Sequence, residues 1–600
     1  MKLGTLCCST LVFSFALTAA SEIPHLQKQG TATQLIVDGK PFLVLAGELS
    51  NNAATDPDYI RPAWPKLVET KLNTVLAGVS WAQIEPQEGK FDFHALDGVI
   101  QDARSNNLHL VLLWFASWKN GLSSYAPDWV KKDFERFPRA QVVGDKTPLI
   151  ILGESRTEIV GSLNLELLSP LSDANRDADA RAFAALMRHV KEVDGQQHTV
   201  IMIQVENEIG MWADTRDRSP LANKAYAGPV PKELMDYLQQ HKDSLIPEFR
   251  QVWGRTGFKT SGTWEEVFGR NPGTDEIFMA WNFARYVGRV VEAGKAEYPL
   301  PMFLNAALSR TSSIAEVVGN GYGTPDEFHQ VQFRGIPGRK LFAIGGTMDD
   351  LMDVWRAGAP QIDMLSPDAY SDRDFVMWCA RYARSGNPLW IPEADGGPEG
   401  AAKILYAIGR HDAIGLSVMG IERMRLPLED IVSRYDLIAQ MAPLILQHQG
   451  NGTMSAVFLG PNDPPQKVKL GNYTLEVTHL RPRPVVGLAT PVPDTQSSAA
   501  IFIATGPDEY FVAGTGVAIT FSPNTPGAPL AGLATVEEGK FLNGAWVPGL
   551  RLAGDDAGEG QNISLYRNKD RDTCSLWFNR EKEPPPLFEC AQRVTLYRYR

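Results

Sequence analysis

At 600 residues the chain is about four times the length of a typical domain, so it should divide into two or three parts around a sizeable primary core. With 44% hydrophobic and 21% charged residues, and with 26 Phe, 16 Tyr and 14 Trp, it is neither a disordered nor a collagen-like polymer. Its 58 basic against 70 acidic side chains leave a formal charge of -12, which removes the electrostatic basis for binding nucleic acid or anionic lipid and points to a neutral substrate.

The start of the chain sets an expected compartment. After Lys2 runs TLCCSTLVFSFALTA, Thr5 to Ala19, followed by small residues and then Ser21 and Glu22. A membrane span needs about 20 apolar residues with interfacial anchors. A short basic start, a short apolar core and Thr18 two places before Ala20 instead predict a secretory signal over 1–20, with the mature chain periplasmic or extracellular. Cys7 and Cys8 lie inside that apolar core, which leaves a lipoprotein as a second reading.

Residues 21–425 alternate short apolar runs with longer amphipathic stretches. The runs are FLVLAGE (42–48), NTVLAGVSW (73–81), LHLVLLWFAS (108–117), TVIMIQVENE (199–208), PMFLNAA (301–307), QIDMLSP (361–367), PLWIPEA (388–394) and IGLSVMG (414–420). Near-continuous apolar strands separated by helices require a parallel sheet covered on its outside. Eight of them predict an α/β fold, a closed (β/α)8 TIM barrel with long insertions. The stretch from Trp118 to His198 should include an outer helix at Asp177 to Val193. That from Gly210 to Leu300 carries Trp212, Trp253, Trp264 and Trp281, which either wall a cleft at the strand ends or bury cores of their own.

From 426 the pattern changes. A helix is expected over Leu428 to Gln447, then short runs punctuated by Gly, Pro and Asn, which predict a C-terminal antiparallel β-sandwich-like domain over 426–600. Cys574 and Cys590 flank EKEPPPLFEC; in an oxidising compartment they form a possible disulfide closing a short loop, worth about 3 kcal/mol, the alternative being two buried thiols. Cys379 sits in a helical pattern as a core thiol.

Hydrolysing a glycosidic bond takes an acid for the leaving oxygen and, in the retaining route, a second carboxylate about 5 Å away as nucleophile. A barrel supplies such pairs from the ends of different strands. Glu208 ends TVIMIQVENE and Glu393 ends PLWIPE, places where a charged residue fits only if the strand end opens into a polar cleft. Strand alternation puts Glu206 on the same side as Glu208, one layer deeper. Glu208, nearest the mouth, is expected as proton donor.

QVENEIG, Gln204 to Gly210, resembles the acid/base segment of family 35 β-galactosidases. WAQIEPQEGKFDF, Trp81 to Phe93, is similar to a substrate-face stretch shared by families 35 and 42, and APDWV, from Ala126, resembles their following Pro-x-Trp motif. That resemblance covers roughly 30–425. It implies a retaining exo-acting β-galactosidase on oligosaccharides, with Glu208 as acid/base, Glu393 as nucleophile and Asn207 on the sugar 2-hydroxyl. A glycosidase for another β-linked sugar, such as an arabinoside, xyloside or fucoside, stands as the alternative, and a non-catalytic sugar-binding barrel as a third.

Further candidates follow from position. Glu85 either binds a sugar hydroxyl, as the resemblance implies, or fixes the loop at Pro86 and Gly89. Trp81 and Trp114 either stack on a pyranose face or pack the barrel rim. Asn305, at the end of strand five, is a candidate partner for a sugar hydroxyl, and Tyr370, after strand six, either hydrogen-bonds the nucleophile or packs its loop. Arg285 and Arg423 either neutralise the acidic site or serve as structural ion-pair partners. The histidines form no metal-ligand spacing, no strand leads into a glycine-rich phosphate loop and no GxSxG elbow is present, so neither cofactor nor metal is expected. The expected partner is a neutral oligosaccharide or a polysaccharide-derived substrate.

Overall fold

The computed structural model describes residues 22–141, 167–211, 214–308, 310–320, 343–370, 373–424, 429–480, 496–554, 557, 560–565 and 591–600. The expected signal segment, Trp212, Cys574 and Cys590 lie outside the described residues.

The eight apolar runs form the eight parallel strands of one sheet: β1 (Val44–Glu48), β2 (Thr74–Ser80), β3 (His109–Lys119), β4 (Val200–Asn207), β5 (Met302–Ala306), β6 (Met364–Pro367), β7 (Trp390–Ala394) and β8 (Gly415–Met419). Neighbours pair in sequence order, and β8 pairs with β1. The ring is completed between β6 and β7 by an isolated parallel bridge, Asp368 to Glu393, with the Ala369 N–H donating to the Glu393 carbonyl at 2.9 Å.

Alternation explains why the strands are apolar throughout. Val44, Ala46, Leu76, Val111, Leu113, Phe115, Phe303, Met364 and Trp390 fill the barrel interior. Leu45, Val75, Leu112, Leu304, Ile391 and Leu416 point outward into the helices. An antiparallel N-terminal sheet, His25–Gln29, Ala32–Val37 and Lys40–Phe42, leads into β1, and its Leu35 and Val37 join the interior cluster at the barrel's N-terminal end.

The expected outer helix spans Asp173–Asp194, opened by the Ser172 side chain accepting from the Asn175 N–H. It packs with the long helix Pro272–Glu297. Trp253, Trp264 and Trp281 are buried in the core that surrounds the barrel rather than in cores of their own: Trp253 meets Phe258 edge-on at 5.2 Å, and Trp264 meets Phe278 edge-on at 5.2 Å.

Helix Glu429–His448 holds Pro443 inside it and leads to two antiparallel sheets. One contains β9 (Met454–Leu459), β12 (Ser498–Gly506), β13 (Glu509–Thr515), β15 (Leu530–Leu542), β16 (Ala545–Leu552) and β18 (Ala591–Tyr599). The other contains β10 (Gln466–Leu470), β11 (Tyr473–His479), β14 (Val517–Pro523) and β17 (Asn562–Leu565). The faces of the larger sheet divide by parity: Ala500 and Phe502 pack against Leu475, Ile519 and Phe521 of the smaller sheet, while Ile501, Ile503 and Phe458 belong to the barrel's outer core. Gly409, on helix Gly397–His411, permits this contact, since a Cβ there would lie 2.7 Å from side-chain atoms of both Ala456 and Ile501.

Candidate active site

At the C-terminal end of the barrel the strands deliver Glu48, Lys119, Asn207, Glu208, Asn305, Asp368, Tyr370 and Glu393 to one region. β4 does not keep its alternation there. The register between β3 and β4 breaks after Trp114, so that Lys119 comes opposite Asn207, and Glu206 and Glu208 adopt positive φ of 61° and 46°. Glu206 consequently does not lie beneath Glu208. Its carboxylate accepts from the Ser117 N–H at 3.2 Å and the Trp118 N–H at 2.7 Å, beside Asp179 of the outer helix. Burial, reinforced by Asp179, holds the Glu206 carboxyl well above the usual range.

The turned backbone sends Asn207 inward. Its Oδ1 accepts from Lys119 Nζ at 2.6 Å and its Nδ2 donates to Glu393 Oε1 at 3.3 Å. Asn305 repeats the pattern from β5: its Nδ2 donates to Asp368 Oδ2 at 2.8 Å and to Glu393 Oε1 at 3.3 Å, while its Oδ1 accepts from the Glu208 N–H at 2.9 Å. Tyr370 donates to Glu393 Oε2 at 2.6 Å. Burial and the charges of Glu393 and Asp368 push the Tyr370 phenol up, so it stays a donor.

The two glutamates therefore occupy different surroundings. Glu393 receives hydrogen bonds from Asn207, Asn305 and Tyr370. Glu208 is pushed up to about 7, first by burial and then by the charge of Glu393, against the opposing pull of Lys119. A half-buried carboxyl held near neutrality beside a second carboxyl that accepts three hydrogen bonds is an arrangement suited to an acid and a nucleophile.

Three site residues were not picked out from the sequence: Glu48, Lys119 and Asp368. Burial, followed by the charge of Glu393, raises Glu48 and Asp368 well above the carboxylate range. The buried cation here is Lys119, whereas Arg285 and Arg423 are exposed; Arg423 pairs with Glu422, and Arg285 lies over the Trp281 ring. The strand-end rule that selects Glu208 and Glu393 also selects Glu48, the last residue of FLVLAGE.

The expected roles of Trp81, Trp114 and Glu85 in contacting sugar are corrected. Trp81 is fully buried at the start of helix Trp81–Ile84, and its indole N–H donates to Glu85 Oε2 at 2.9 Å. Glu85 also accepts from the Gly89 N–H at 2.8 Å, so it holds its own loop. Trp114 is fully buried on the helix side of β3, where its N–H donates to Asp179 Oδ1 at 2.9 Å and its ring packs on Phe183. An indole enclosed in this way has no face free for a pyranose.

Comparison with known proteins adds to this picture. Residues 56–147 match glycoside hydrolase family 42, described as beta-galactosidase, and residues 431–564 match a domain of unknown function, DUF5597. A curated beta-galactosidase from Xanthomonas manihotis is 28% identical over 220 residues, 35% of this chain and 31% of that protein. Among solved structures, the beta-galactosidase from Bacillus circulans sp. alkalophilus aligns with a TM-score of 0.41 and 14% identity, over 67% of this chain and 57% of that one. The cold-adapted beta-galactosidase from Rahnella sp. R3 aligns with a TM-score of 0.41 and 15% identity, over 68% and 57%. The chain thus spans about a third of the length of the curated relative and little more than half of these solved chains.

Proposed function

We propose that this chain, whose barrel carries a family 42 β-galactosidase segment, is a retaining β-glycosidase that removes β-linked galactose from the non-reducing ends of oligosaccharides. The observation that carries the reading is the contrast between Glu208, held near 7, and Glu393, held by three hydrogen-bond donors. In the first step Glu393 attacks the anomeric carbon as Glu208 gives its proton to the departing oxygen. The glycosidic bond breaks and a glycosyl ester to Glu393 forms. In the second step Glu208, now ionised, takes a proton from water, which attacks the same carbon and frees Glu393. Asn207 and Asn305 keep the Glu393 carboxylate aimed, and Lys119 offsets part of the crowded negative charge.

The test is anomer-resolved NMR of the first product released from an aryl β-galactoside, run with a panel of aryl β-arabinosides, xylosides and fucosides. Retention with galactoside preference supports the proposal. Initial release of the inverted anomer overturns the double displacement, and faster turnover of another sugar transfers the activity to that sugar.

A further inference from the structure

Glu48 is the C-terminal residue of β1, and its side chain continues the inward row of Val44 and Ala46. The residue is fully buried, and among the described residues neither carboxyl oxygen has a hydrogen-bond partner. Its nearest register partners, Met419 on β8 and Leu76 on β2, offer their side chains no hydrogen bond to it. The charges that act on it most strongly are those of Glu393, Lys119 and Glu208.

Each of the other buried carboxyls among the described residues has a partner for at least one oxygen: Asp368 and Asp349 each leave Oδ1 without a hydrogen bond, yet their Oδ2 atoms accept from Asn305 and Arg384. Glu206 accepts from two backbone N–H groups, and Glu85 accepts from Trp81 and Gly89. Even the half-buried Glu422 takes the Ser50 N–H, two residues beyond Glu48. A carboxyl buried for structural reasons acquires such partners, because leaving it bare costs more than replacing it with an apolar residue of similar size. Of these buried carboxyls Glu48 alone has neither oxygen partnered among the described residues, at the strand ends where the charges of Glu393 and Glu208 act on it. A protonated carboxyl both donates and accepts, and two adjacent sugar hydroxyls present the complementary acceptor and donor.

We infer that Glu48 is a substrate-binding residue that grips a hydroxyl pair of the sugar ring seated against Glu393, and so sets which sugar the site accepts. This rests on the glycosidase reading above. It makes the orphaned oxygens of Glu48 the place where binding energy is recovered when sugar enters.

The experiment is a cycle between enzyme and substrate. Wild type and Glu48→Gln are compared on an aryl β-galactoside and on each of its monodeoxy analogues, with melting temperatures measured in parallel. Glu48→Gln should lower kcat/KM on the full sugar by about 10- to 100-fold. At one or two deoxy positions the losses should not multiply, because the hydroxyl and its partner are removed from the same contact. The melting temperature should hold or rise, since an unpaired acid has been removed from an acidic chamber. A lowered melting temperature with equal loss on every substrate, or losses that multiply at every position, overturns the inference in favour of a structural role. If wild type hydrolyses no member of the panel, the hydrolase reading falls, and calorimetric binding of galactose decides Glu48. Weaker binding in Glu48→Gln supports the inference, and equal or undetectable binding by both proteins overturns it.

Discussion

Tyr370 and Glu393 are joined by a 2.6 Å hydrogen bond that crosses from the loop after β6 to β7, with the phenol as donor. On the proposed mechanism that bond orients the attacking oxygen and must be given up as the glycosyl ester forms. Tyr370→Phe should therefore lower kcat by about 10- to 100-fold and change KM little. Steady-state kinetics on an activated aryl galactoside measures it, and an unchanged kcat would show that the Asn207 and Asn305 contacts suffice.

Glu208→Gln removes the proton donor and keeps the nucleophile. Substrates with poor leaving groups should lose far more rate than activated aryl glycosides, by about 10²- to 10⁴-fold. Azide should restore turnover by intercepting the glycosyl ester. Glu393→Ala should suppress both substrate types, and equal modest losses in the two variants would exchange or abolish the assigned roles.

With Glu208 held at about 7, its acid form is lost as pH rises through neutrality, so kcat/KM should fall on the alkaline side of about pH 7. Glu208→Gln should erase that limb for activated substrates. A limb that persists unchanged in the variant would belong to another group.

The same elevation bears on stability. Glu208 in the folded chain binds its proton more tightly than in the unfolded chain, whose value is near 4.5. Between those values the folded state carries more protons, so stability is greatest below about pH 4.5 and declines as pH rises to about 7. Glu48 and Asp368, raised by burial and by Glu393, act in the same direction. Urea midpoints across this window should fall with pH for wild type and more gently for Glu208→Gln, once the ordinary acid titrations common to both proteins are subtracted.

The sandwich domain shares core with the barrel through Phe458, Ile501 and Ile503, and the Gln34 side chain donates to the Leu446 carbonyl at 2.7 Å. A chain ending after Met424 should expose that apolar face and aggregate or lose activity, although both proposed catalytic glutamates remain. A soluble monomer with unchanged kinetics and melting temperature would establish an independent module.

The barrel strands are legible because burial on both faces forces unbroken apolar runs such as LHLVLLWFAS, and no other local structure of that length explains eight of them. Glu208 and Glu393 stand out by the same logic, as charges at the ends of such runs. Trp81 and Trp114 do not sort themselves, because a rim indole and a core indole differ only in partners, here Glu85 and Asp179, and Asp179 lies 65 residues from Trp114. Glu206 misleads because period-two alternation assumes a regular strand, whereas positive φ at Glu206 and Glu208 turns neighbouring side chains to opposite sides. Lys119 falls just beyond its apolar run, and only the irregular β3–β4 register brings it to Asn207.

Among the described residues β6 and β7 share no regular ladder; their seam is the single bridge from Asp368 to Glu393. The proposed nucleophile is thus also the clasp of the hoop. Thermal breathing at that clasp would displace Glu393 from Asn207, Asn305 and Tyr370 while the other seven strand junctions remain paired. Heat should consequently abolish the proposed activity at temperatures where the circular dichroism is still native, and a sugar that bridges Glu48 to Glu393 would fasten the clasp and close that gap.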